Sequence, residues 1–329
     1  MTTLNPSETN DEIRRQELTQ LAKLARKYMW DMSAQRILQD HGVMTEPNRF
    51  YSQLPSLKDI EGSFEYDAIH SGKGVWWNED LFDLDAIRAV IETLLPFAEE
   101  FDPPLEGDVK NPTTYFWNNP AFSFSDAMAY WCFIRKHKPA HIVEIGSGFS
   151  TLIASQAIKA NKKGRLSCIE PYPMDWLKQN IPDINLIERP IQDIPVAEFN
   201  ELFQDGDILM IDSTHTVKMG SDCLWIYLKL LPALESDLYI HVHDISLPFA
   251  MPAKKAMESR IHWAEMYLLM AYLLENPRVE TLFSSKLCAT LLRDEGLALM
   301  DGKKGAGGGS FWFRQTGRIS KGDSFKVIG

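Results

Sequence analysis

Three features of the sequence predict an α/β fold built on an open, mostly parallel, seven-stranded sheet. The first is the phrase His141-Ile142-Val143-Glu144-Ile145-Gly146-Ser147-Gly148-Phe149-Ser150, which reads as a buried strand, a glycine turn and a helix start. A second apolar strand, Arg165 to Ile169, follows it and ends at Glu170. The second feature is the alternation of apolar runs with helical stretches that continues to about residue 275. The third is a pair of strand-like segments near the end, Thr281 to Leu292 and Ser310 to Arg314. The loop between them carries Gly302, Gly305 and Gly307 to Gly309. Together this pair reads as an antiparallel hairpin that closes the sheet.

The elements follow in order. Thr9-x-x-Glu12 has the form of a capping box. Leu18, Leu21, Ala25, Tyr28 and Met32 then recur at helical spacing, which predicts one helix to about Gln39, with Gly42 past its end. Val43 to Trp77 is irregular, rich in Pro, Gly and aromatic residues. A helix is expected from about Leu84 to Glu100, and Ser123-x-x-Asp126 opens another that reaches about Lys136. Strands are expected at 141–145, 165–169, 184–188, 207–212 and 238–243, with helices at 150–161, 173–179, 196–203, 217–232 and 253–275. Residues 1–110 thus form a mainly helical N-terminal extension, aromatic enough to serve as a lid. Residues 111–315 form the α/β domain, and 316–329 a loose polar tail.

Composition narrows the function classes. The 329 residues are 45% hydrophobic, enough for a large core. Lys+Arg 34 against Asp+Glu 45 gives a net charge of −11, and no basic stretch offers a nucleic-acid footprint. The four cysteines are far apart and form no C-x-x-C. No segment approaches the roughly 20 apolar residues that cross a bilayer. The opening residues lack the pattern of a secretory leader. A cytoplasmic protein, with no membrane and no nucleic-acid partner, is the expectation; its oligomeric state stays open.

In an open α/β sheet, ligands sit beyond the carboxyl ends of the strands. Gly146 and Gly148 allow close backbone approach, and the helix after them offers free N–H groups. Glu170, at the tip of the next strand, suits a ribose diol. This is an adenosine crevice. A dinucleotide fingerprint wants G-x-G-x-x-G, and its third glycine is replaced here by Thr151. An NAD-dependent dehydrogenase is therefore the runner-up for the crevice. After the third strand come Gln192 and Asp193. The fourth strand ends in Asp212-Ser213-Thr214-His215 and the fifth in His241-Val242-His243-Asp244. Packing gives a core strand no reason to end in such clusters. His241 and His243 share one strand face, with His241 nearer the interior and structural.

The run from Glu144 through Gly146 and Gly148 resembles motif I of class I S-adenosylmethionine (SAM) methyltransferases, departing at Ser150, where a third glycine is common. From about Asn119 to Arg314 the chain is similar to a broad, largely uncharacterised bacterial group of these Rossmann-like enzymes. The phrases Cys168-Ile-Glu-Pro-Tyr-Pro, Ile211-Asp-Ser-Thr-His, His241-Val-His-Asp-Ile and Gly307-Gly-Gly-Ser carry the likeness. The chain is more distantly similar to metal-dependent O-methyltransferases of the catechol and macrolide-sugar types.

The resemblance implies a SAM-dependent methyltransferase acting on a hydroxyl of a small molecule or glycan. SAM would lie on Glu144, Gly146, Ser147, Gly148, Glu170, Gln192, Asp193 and Asp212. It further implies His215 as general base, and a divalent cation (Mg, Mn or Fe) on Asp212, His243 and Asp244. His243 stands where the metal-dependent relatives place an oxygen ligand. That departure suits Mn²⁺, Fe²⁺ or Zn²⁺ better than Mg²⁺, or else leaves His243 to touch substrate without a metal. Two alternatives stay open: an N- or C-methyltransferase or other SAM-using enzyme, and a non-catalytic nucleotide-binding protein.

Overall fold

The computed structural model of the chain describes residues 6–318, so 319–329, most of the expected tail, lie outside the described residues. The chain divides into two compact units between Ser63 and Phe64.

The first unit is helical. Its first helix runs Pro6–Tyr28, and a second runs Met32–Asp40. The single helix expected to Gln39 is interrupted because Asp31 leaves helical geometry and accepts hydrogen bonds from the N–H groups of Ser33 and Ala34, starting a new helix. Thr9 falls inside the first helix rather than at its cap. Ser56 and Asp59 form a capping box for a short helix, Leu57–Glu61, within the stretch read as irregular.

The second unit holds the sheet. Its strands are β1 (His141–Ile145), β2 (Arg165–Ile169), β3 (Asn185–Ile187), β4 (Asp207–Ile211), β5 (Leu238–Val242), β6 (Val279–Ser284) and β7 (Phe311–Gln315). Their spatial order is β3-β2-β1-β4-β5-β7-β6. β1 to β5 are parallel, and β7 is antiparallel to both β5 and β6. Every residue of β1 and β4 is buried, as expected of parallel strands covered on both faces. Strand order reverses at β1, which lies between β2 and β4, so the crevice opens beyond that point.

The helix Leu84–Ala98, capped by Asp83, buries Ile87, Ile91, Leu94 and Ala98 in the same core as the sheet. The boundary expected near residue 110 therefore falls inside the second unit, because this apolar face belongs to the sheet's core. Three further elements differ from the sequence reading. The helix expected at 217–232 starts only at Asp222, where Ser221 accepts from the Leu224 N–H, and continues through a π-helical turn, Ile226–Leu230. The long helix at 253–275 is two, Ala253–Met257 and Glu265–Leu273. The last two strands are neighbours but not a hairpin. Ser284 ends β6 by capping the helix Ser285–Thr290, and the helix Arg293–Met300 follows before the glycine-rich segment. Residues 316–318 are tied down, with the Thr316 and Arg318 N–H groups donating to Arg278 and Leu234 carbonyls.

Candidate active site

The turn after β1 is shaped by close approach. Gly146 has φ 88°, and a Cβ there would collide with the Asp212 carbonyl oxygen. The Gly146 N–H donates to Ile169 and the Asp212 N–H to Ile145, so the ends of β1, β2 and β4 are laced together. Glu144 lies beneath this turn, fully buried, and accepts from the Tyr130 hydroxyl at 2.8 Å and the Thr151 hydroxyl at 2.6 Å. Thr151 in turn accepts from the Gly148 N–H at 3.0 Å. The residue in place of a third glycine thus binds the turn to its buried carboxylate. Burial pushes the Glu144 carboxyl up to about 7, against the pull of its hydrogen bonds.

Beyond the turn lies a crevice of about 440 Å³ lined by Gly146, Glu170, Gln192 and Asp212, among others. The Glu170 carboxylate accepts from the Tyr172 N–H at 2.8 Å, which leaves it a free oxygen. The Gln192 amide donates to the Gly220 carbonyl at 2.9 Å. Asp193 is exposed in the 3₁₀ turn Ile191–Asp193 and does not line the crevice. Neither do Glu144, Ser147 and Gly148, although the Ser147 hydroxyl is buried beside the turn with no hydrogen-bond partner among the described residues. Another cavity, of about 430 Å³, lies around the N-terminal ends of β1 and β2, away from these groups.

The ends of β4 and β5 bring two histidines and two carboxylates together. Nε2 of His215 is 3.3 Å from Asp212 Oδ1 and 3.8 Å from Asp244 Oδ2. Nδ1 of His243 is 3.4 Å from the same Asp212 oxygen and 4.0 Å from the same Asp244 oxygen. His215 and Asp244 both hold left-handed backbone conformations, φ 58° and 56°. Each imidazole is also gripped from behind. His215 Nδ1 is 2.7 Å from Glu265, a buried carboxylate that also accepts from Ser213 and Tyr227 at 2.9 Å each. His243 Nε2 is 3.2 Å from Asp126, equally buried, which accepts from the Ser285 hydroxyl and the Gly309 and Ser310 N–H groups. Burial opposes charge on both rings. The carboxylates win: Asp212 and Glu265 carry His215 up to about 9, and Asp212 and Asp126 hold His243 well above its ordinary value. Burial likewise opposes charge on Asp212, but the two imidazoles hold its carboxyl far below the usual range.

His241, by contrast, stacks on Trp312 at 4.5 Å and bonds the Ser310 hydroxyl at 2.6 Å. Burial lowers it to about 3, so it is a neutral structural residue. The sequence marks Asp126 only as part of a helix start. Its signal was an acidic residue at the head of the apolar run Ala127 to Ile134. Glu265 is likewise an acid opening an apolar helix, Glu265–Leu273. Among the described residues, no group of three or more His, Cys, Asp or Glu side chains is already arranged to hold a metal ion.

Residues 143–245 match the methyltransferase domain family. An uncharacterized protein of Archaeoglobus fulgidus is 34% identical over 172 residues, covering 49% of this chain and 75% of that one. Looser likenesses include an O-methyltransferase from Bacillus cereus in complex with S-adenosylhomocysteine (SAH), 13% identical with TM-score 0.37, covering 75% of this chain and 99% of that one. Another is TomG of Streptomyces achromogenes, an O-methyltransferase of tomaymycin synthesis bound to SAM, 14% identical with TM-score 0.36, covering 77% and 96%. Overlays as loose as these two bear on no residue of the site. With its strand order, its glycine turn and the matched domain, the chain belongs to the class I SAM-dependent methyltransferase family. It is an enzyme of methyl transfer.

Proposed function

We propose that the protein methylates a hydroxyl oxygen on a small molecule or sugar, with His215 as the base that takes the hydroxyl proton. One observation carries this reading: His215 presents Nε2 to the Asp212–Asp244 cluster at the crevice mouth, while buried Glu265 holds its Nδ1. A base needs a fixed ring and a deprotonated nitrogen facing the reacting group. The carboxylate behind the ring supplies the first, and with His215 raised to about 9 the base form is the fraction that grows as pH rises toward that value.

The crevice fits SAM. Its glycine turn admits close backbone approach, and Glu170 has an oxygen to spare for a ribose hydroxyl. Gly146, Glu170, Gln192 and Asp212 would hold it there, with Glu144 fixing the turn from below. Bound SAM would supply a sulfonium-activated methyl group, the O–CH₃ bond forming at the expense of the S–CH₃ bond and leaving SAH. The chain's own residues align the acceptor oxygen and remove its proton, which passes to Nε2 of His215.

The donor chemistry of Asp212, His243 and Asp244 also suits a divalent cation. Among the described residues His243 Nδ1 is buried without a hydrogen-bond partner and faces one oxygen of each carboxylate. A cation bound there would displace the proton those carboxylates hold on the ring. A mixed imidazole and carboxylate set favours Mn²⁺ or Fe²⁺. Such an ion would lower the pKa of the acceptor hydroxyl. We place the enzyme in the reducing cytoplasm, a reading supported by four buried free cysteines.

The test is incubation with methyl-labelled SAM and a panel of small-molecule and glycan hydroxyl compounds, with products read by mass spectrometry. A methyl ether is the expected product. Label found only on nitrogen or carbon would overturn the oxygen acceptor.

A further inference from the structure

A cavity of about 270 Å³ lies against His243 and Asp244 and shares no lining residue with the glycine-turn crevice. The two spaces meet at the cluster: Asp212 lines one, and His243 and Asp244 line the other. Pro120, Ala121, Phe124 and Pro252 give the cavity apolar walls. Phe124 is 41% exposed and has φ 57°, a costly conformation for a bulky residue.

Two lysines also line this cavity. Lys255 is committed, with its ammonium 3.1 Å from Asp244 and 4.0 Å from the Trp263 ring centre. Lys286 is half-buried, and among the described residues its ammonium has neither a hydrogen-bond acceptor nor an ion-pair partner. The nearest carboxylates are spoken for. Asp126 already serves Ser285, Gly309, Ser310 and His243, and Asp244 serves Lys255. Lys286 also sits in the first turn of the helix Ser285–Thr290, the end where a cation is disfavoured. Burial adds to that cost and lowers the affinity of Lys286 for its proton. Asp126 and Asp244 attract the ammonium from a distance but do not outweigh its burial; an anion arriving in the cavity would give it a direct partner.

We propose that this cavity is the acceptor site and that the acceptor carries an anionic group, a carboxylate or a phosphate, paired with Lys286 while its hydroxyl faces the cluster. The proposal rests on the methyltransferase reading of the crevice and narrows the substrate class to anionic hydroxyl compounds with an apolar body.

Calorimetry on the full chain saturated with SAH tests it, using benzoate, phenyl phosphate and neutral benzamide as probes. Benzoate or phenyl phosphate should bind at least about tenfold more tightly than benzamide, the usual size of a charge-assisted contact. Which of the two binds better separates carboxylate from phosphate. Lys286→Met, with Lys286→Gln run beside it, should erase the preference, with retained SAH binding as the check on folding. Lys254→Met, at an exposed lysine outside the cavity, should leave it intact. Equal binding of benzamide, a preference that survives both Lys286 variants, or no binding by any probe at millimolar concentration overturns the anionic acceptor. A chain that fails to bind SAH at all removes the cofactor reading and this inference with it, and that failure shows before any probe is added.

Discussion

His215 occupies a position that costs the chain something to maintain. Its backbone is left-handed, as is that of Asp244, at about 1–2 kcal/mol per residue for an ordinary side chain and less for Asp. Non-glycine residues persist in such conformations where surrounding contacts over-determine them, which is frequently at functional sites. Here the contacts are Glu265 on one ring nitrogen and Asp212 on the other. His215→Ala should therefore cut turnover by roughly 10²–10⁴, the usual worth of acid–base catalysis, with SAM affinity by calorimetry near wild type. Turnover that survives in a folded variant would move the proton to another group, with His243 the nearest candidate. The four strand-end residues were legible because β4 and β5 each stop in a polar cluster. Asp126 was not, and Glu265 only weakly, since their partners lie 117 and 50 positions away. An acid at the head of an apolar helix reads locally as a cap or a packed end.

At the scale of elements, β1 and its turn rest on Glu144. Its carboxyl keeps a proton to about pH 7 in the folded chain, against about 4.5 ordinarily. Between those values the folded state binds a proton that the unfolded state has lost, so stability falls as pH rises through the window and levels off above it. At about 1.4 kcal/mol per unit, the whole span is worth about 3 kcal/mol. Glu144→Gln has the same shape and no titration. Its urea stability relative to wild type should rise by that amount between pH 4.5 and pH 8; parallel profiles would show that Glu144 does not titrate there. The strands were readable because buried parallel strands are unbroken apolar runs. The helix breaks were not, because Asp31, Ser221 and Ser284 act through side-chain hydrogen bonds to backbone N–H groups, and polar residues of that kind are also common on helix surfaces.

Over the whole molecule, a cation on Asp212, His243 and Asp244 would join β4 to β5 and should be visible in stability as well as rate. Protein treated with EDTA and shown metal-free by elemental analysis should gain about 2.7 kcal/mol when Mn²⁺ or Fe²⁺ is restored at a hundredfold its dissociation constant. Melting temperature would rise by a few degrees, and Asp212→Asn should abolish the gain. An unmoved melting temperature together with full-rate methylation by the metal-free protein would dismiss the cation and leave His215 to work alone.

Asp126 has a temporal consequence as well as a spatial one. It sits ahead of β1, yet the backbone groups that hold its carboxylate belong to Gly309 and Ser310, 183 and 184 positions later. Contacts of such high sequence separation form late, because a long loop must close before they repay its entropy. During synthesis, β1 to β5 emerge before the segment that fixes Asp126, and through Asp126 the ring of His243. The nascent chain can thus possess a nucleotide crevice while its second histidine still lacks a backing carboxylate held in place. Asp126 is fixed only once the segment leading into β7 has docked between β5 and β6.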